Sequence, residues 1–168
     1  MQKSKGWVSL VCGMSLVYLL MGILVSTVAN GSILFLFIVF LVSVASWLAI
    51  FFKTNSFFSI AGVTVSFLFV IVAILKLFQV IAWDELLLMA PLWGLIQGLV
   101  MLGEGIFEKN RRMLSAKPEL AFAVLLIVLA LLLFILPPAG ILTMVEITRM
   151  LVGLEFVFVG ASVLCHLF

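Results

Sequence analysis

The chain has 168 residues, 67% of them hydrophobic and 10% charged, with a formal net charge of +2. Soluble domains carry about 25% charged residues, so no soluble core could hide this much apolar surface and lipid must cover part of it. The net charge is too small for a nucleic-acid partner.

A membrane helix needs about 20 mainly apolar residues, each rising about 1.5 Å against a hydrocarbon core of about 30 Å. Helices rather than strands are expected, because a helix satisfies its own backbone hydrogen bonds in lipid. The first apolar run, 7–28, follows Lys3 and Lys5 as a signal peptide would. It exceeds the usual signal core of about 7–15 residues and lacks a small-x-small cleavage site, so it reads as a retained helix. Ala29-Asn30-Gly31-Ser32 then turns the chain into a second run, 32–52. Lys53-Thr54-Asn55-Ser56 separates this from a third, 57–80. Trp83-Asp84-Glu85 precedes the fourth, 86–107, and a basic loop leads to the fifth, 120–136. Pro137-Pro138-Ala139-Gly140 introduces the sixth, 141–165. Such breaks carry turn chemistry. The expected fold is all-α: one polytopic domain over 1–168, with six transmembrane helices arranged as three hairpins.

Basic residues set the orientation. Lys3, Lys5, Lys53, Lys109, Arg111, Arg112 and Lys117 fall on one side of this layout. The other side has Lys76 with acidic Asp84 and Glu85. By the positive-inside rule both termini should be cytoplasmic. The basic loop is foremost a topology determinant, with contact to anionic headgroups as the alternative. The outer turns centre on Asn30, Asp84 and Pro138 at even spacing. An ancient hairpin repeat would produce this, and so would helices of equal length.

Small residues mark helix packing. Gly94 and Gly98 in the fourth run, and Gly153 and Gly160 in the sixth, would let two backbones approach closely.

The sixth run is the most informative. It holds Glu146, Arg149 and Glu155, all costly groups in hydrocarbon. Arg149 should lie roughly 12 Å deep. Helical periodicity puts Glu146, Arg149, Gly153 and Gly160 on one face, and Thr148, Glu155, Ser162 and His166 on a nearly opposite one. Polar groups on both faces predict a helix inside the bundle. Arg149 should point inward to an acid, with Glu146 nearest in sequence. Lys76 could match the depth of Glu146, and Gln97 could hydrogen-bond Glu155 or Arg149. This polar network has a bland reading, ion pairs that fix helix register, and a sharper one, an ion or ligand pathway.

Cys12, Cys165 and His166 show no disulfide framework and no zinc spacing. Phosphate-binding, dinucleotide-binding, nucleophile-elbow and metalloprotease motifs are absent, so neither catalysis nor a cofactor is expected. Glu104 and Glu108 read as a solvated helix end. Expected partners are the lipid bilayer and either a second copy or another membrane protein.

The stretch Leu151-Val152-Gly153-Leu154-Glu155-Phe156-Val157-Phe158-Val159-Gly160-Ala161-Ser162 resembles the last helix of HdeD-like acid-resistance membrane proteins. The hairpin around Pro137, Pro138 and Gly140, followed by Ile141-Leu142-Thr143, is similar too. The specific likeness covers roughly the last quarter of the chain, and the remainder agrees in hydropathy. It implies a six-span bacterial inner-membrane protein with a role in acid or envelope stress. Gly153 and Glu155 sit at matching motif positions, whereas Arg149 precedes the motif and inherits no role. A small channel or transporter using the sixth helix is the alternative. An accessory subunit of a membrane complex is a further one.

Overall fold

The structure is a computed structural model that describes residues 5–28, 32–82, 84–135 and 144–167. Lys3, the turn residues Ala29, Asn30 and Gly31, Trp83, and the segment Pro137, Pro138, Ala139, Gly140, Ile141, Leu142 and Thr143 lie outside the described residues. Six helices follow in chain order: α1 (Lys5–Thr27), α2 (Ser32–Thr54), α3 (Phe57–Leu77), α4 (Ala90–Asn110), α5 (Ala116–Ile135) and α6 (Met144–Cys165). Each is long and apolar enough to cross a membrane, and the described residues contain no strand.

Local chemistry sets the helix ends. α2 runs through Thr54 and stops where Asn55 takes a left-handed conformation (φ 51°). Asparagine tolerates that conformation better than most residues. Ser56 then caps α3 by accepting a hydrogen bond from the Ser59 amide at 3.1 Å. α3 ends at Leu77, short of the expected 80, because Gln79 turns left-handed (φ 58°). A π-helical turn, Glu85–Met89, enters α4, and the Asp84 carboxylate accepts from the amides of Leu86 (3.0 Å) and Leu87 (2.7 Å). α5 begins at Ala116, earlier than the expected 120, since Pro118 is tolerated in a first helical turn whose amides need no partner.

Each helix packs on its neighbours in sequence, and α6 closes the bundle against α1. The most extensive contacts are α4–α5, α1–α6 and α2–α3. In the core, the Trp93 ring packs against Phe40 (5.5 Å between centroids) and edge-on to Phe156 (5.8 Å), which ties α2, α4 and α6 together. Leu16, Ile23, Phe52 and Phe67 lie exposed on the outside, as side chains facing lipid would.

The glycines singled out from the sequence all lie at helix contacts. A methyl group on Gly98 would come within 2.6 Å of the Ile127 side chain on α5, and one on Gly160 within 2.8 Å of Tyr18 Cβ on α1. Gly94 leaves room for the Glu155 carboxyl of α6. Gly153 meets the backbone of Gly22 on α1, where an added methyl would stand 2.5 Å from a carbonyl oxygen. Gly22 and Gly62, the latter under the Trp47 ring, also lie at helix contacts; each has a serine four residues on, Ser26 and Ser66, and the sequence reading passed over them.

Candidate functional site

The polar residues of the interior fall into two groups. The first lies at the end of the bundle that carries the basic loops. Glu104 and Glu108 continue one buried stripe of α4, Gly94, Gln97, Met101, Glu104 and Glu108, at helical spacing. Both are fully buried, which corrects their reading as a solvated helix end. The α2–α3 loop closes over Glu104, and the Ser56 hydroxyl donates to its carboxylate. Ser115, just before α5, donates to Glu108 at 2.6 Å. Glu119, in the first turn of α5, is also fully buried and accepts from Ser162 of α6 at 2.5 Å.

His166 joins these acids. Its Nε2 lies 3.3 Å from Glu108 and its Nδ1 3.7 Å from Glu119, with Nδ1 also 3.2 Å from the Ser162 carbonyl. Lys53 of α2 donates to the His166 carbonyl at 2.7 Å, and Arg111 donates to the Thr54 carbonyl at 2.9 Å. Cations on the last carbonyls of a helix are favourable. Burial opposes a charge on His166, but the hydrogen bond to Glu108 and the charges of Glu119 and Glu108 outweigh it. The histidine pKa is therefore raised above its ordinary value.

The second group lies deeper. Gln97 of α4 accepts from the Trp47 indole of α2 at 2.6 Å and donates to Ser66 of α3 at 2.8 Å. Ser66 in turn shares a 2.7 Å hydrogen bond with Ser43. Gln97 thus joins α2 and α3, in place of the Glu155 or Arg149 expected from the sequence. Glu155 sits against Gly94, fully buried, and neither carboxylate oxygen has a hydrogen-bond partner among the described residues. Arg149 is half-buried on α6 and Glu146 is exposed. Lys76 is half-buried and lines a shallow pocket with Ile33 and Gln79. Of the two stripes on α6, Thr148, Glu155, Ser162 and His166 are buried throughout. The other runs from exposed Glu146 to Gly153 and Gly160 packed on α1.

Between the two groups lies a small cavity of about 10 Å³, lined by residues that include Tyr18, Ser46, Trp47, Glu119, Val159 and Ser162. That is about the room one water needs. The Tyr18 hydroxyl is buried beside the Ser46 and Ser43 side chains.

Glu119 is the residue the sequence reading missed altogether. An acid beside Lys117 and Pro118 looks like a solvated helix start, but α4 at Gly105 and Ser162 of α6 lie against it. The signal for Glu104 and Glu108 was present: they share a face with Gly94, Gln97 and Met101. No group of three or more His, Cys, Asp or Glu among the described residues is arranged to hold a metal ion. Hydroxyl-bonded carboxyls around an imidazole can take up and release protons without further chemistry. Comparison with family models, curated proteins and solved structures gives no match.

Proposed function

We propose that this chain is a small non-enzymatic protein of the bacterial inner membrane that helps the membrane withstand acid or other envelope stress. The HdeD-like resemblance of α6 implies that role, and the carrying observation is the buried set Glu108, His166 and Glu119. Such a set changes charge with the pH of the compartment it borders. In this reading the helices form three successive hairpins, and the basic loops and both termini lie in the cytoplasm, so the cluster senses cytoplasmic pH. The concentration of lysine and arginine on that side supports the orientation. A reporter fused to the C-terminus should read as cytoplasmic; a periplasmic signal would overturn the topology.

The role itself is tested by survival. A strain lacking the protein should lose viability in an acid challenge and regain it with the wild-type chain, but not with Glu119→Gln/His166→Asn. Equal survival with and without the protein would sink the stress role. A second reading, transport through the bundle, is favoured by one observation: a carboxyl at Glu155 buried deep in α6 with no hydrogen-bond partner among the described residues.

A further inference from the structure

We propose that Glu155 is a proton-binding site inside the membrane span, loaded and unloaded from the Glu119–His166 end through the cavity beneath Ser162. This goes beyond the stress role and does not depend on it.

Three observations carry the proposal. The first is the carboxyl itself. Glu155 is fully buried, and neither oxygen has a hydrogen-bond donor among the described residues. An ionised carboxylate in such surroundings is far more costly than the neutral acid. The second is the cradle. Only the missing side chain of Gly94 makes room for the carboxyl, so α4 and α6 are shaped around this group. The third is the route. Glu155, Val159 and Ser162 follow one another on one face of α6, and Val159 and Ser162 both line the cavity that Glu119 borders. Val159 stands four residues from Glu155, about 6 Å along the helix. Ser162 is hydrogen-bonded to Glu119, whose carboxylate lies beside His166.

The step is a proton transfer and nothing else. The O–H bond of the Glu155 acid breaks, and water in the cavity carries the proton. The Glu119 carboxylate receives it and forms the new O–H bond. No electron pair changes hands with any other reactant. Beyond Lys5, Lys109 and Lys117 at helix ends and the thiols Cys12 and Cys165, the ionisable groups on the surrounding helices are Tyr18 on α1, Lys53 on α2, Lys76 on α3, Glu104 and Glu108 on α4, Glu119 on α5, and Glu146 and Arg149 on α6 itself. His166 follows α6. Of these, Tyr18 and Glu119 border the cavity.

Infrared difference spectroscopy on the purified full chain in lipid tests the idea. The wild type should show the carbonyl stretch of a protonated carboxylic acid that is lost in Glu155→Gln and kept in Glu108→Gln. On transfer to heavy water this band should shift as the proton exchanges. Exchange should slow about tenfold in Glu119→Gln and in Val159→Leu, the effect of about 1.4 kcal/mol on the barrier. Labelling of the unmodified protein by a hydrophobic carbodiimide, mapped by mass spectrometry, should fall on Glu155 and needs no variant to fold. An unchanged acid band in a folded Glu155→Gln, or no label at Glu155, would overturn the site. Equal exchange in the wild type, Glu119→Gln and Val159→Leu would overturn the route.

Discussion

Gly153→Leu is expected to lower the melting temperature of the detergent-solubilised protein more than any substitution on the lipid-facing surface. The reason is where the new atoms would go. Even the first methyl of a side chain at Gly153 would stand 2.5 Å from the carbonyl oxygen of Gly22 and 3.2 Å from Ser26 Cβ. The converse holds at Gly22, where a methyl would lie 2.6 Å from the Gly153 oxygen. These obstacles are backbone, not the movable end of a side chain, so α1 and α6 must separate. That contact is among the most extensive in the bundle and joins its first helix to its last. Overpacking of this kind costs about 1–3 kcal/mol. For a chain of this size each kcal/mol moves the melting temperature by about 2–4 °C. Gly13→Ala is the control, since a methyl there meets nothing within 4 Å. A Gly153→Leu protein that melts with the wild type would sink the argument, as would one whose loss Gly13→Ala reproduces.

The apolar runs made the six helices legible, because spans of that length have no other stable state in lipid. Helix ends were legible only where a turn residue acts alone. Asn55 marked the end of α2 to within two residues, whereas Gln79 gave no warning that it would turn left-handed and stop α3. The stripe on α6 was legible because helical period alone places Glu155, Ser162 and His166 together. Its partners were not. Glu119 is brought to Ser162, and Glu108 to His166, by helices returning to the same end of the bundle, and no local pattern encodes which helix closes there. Charge near a helix end reads as solvation until something covers it. For the same reason Gln97 could be placed mid-helix but not assigned to Trp47 and Ser66, which lie on helices far away in the chain.

His166→Leu should be the most damaging single change at the cluster. It removes the imidazole from between two fully buried acids, Glu108 and Glu119. Taking one partner from a buried pair costs about 3–5 kcal/mol, because the charge left behind has lost both water and counter-charge. Replacing the acids as well should recover part of that loss. His166→Leu/Glu108→Gln/Glu119→Gln should therefore melt above His166→Leu alone, although it carries more substitutions. The histidine also gives wild-type stability a definite pH dependence. Its pKa is raised on folding, so the folded state binds its proton more tightly than the unfolded chain does. The stabilisation is fully present below the ordinary histidine value of about 6.5 and is lost as pH rises through the folded value. Melting temperature should accordingly fall in the wild type as pH rises above the ordinary histidine value of about 6.5. The triple variant should lose that slope. A wild type whose melting temperature is flat or climbs over that rise in pH would show that the imidazole does not serve the two carboxylates as their counter-charge.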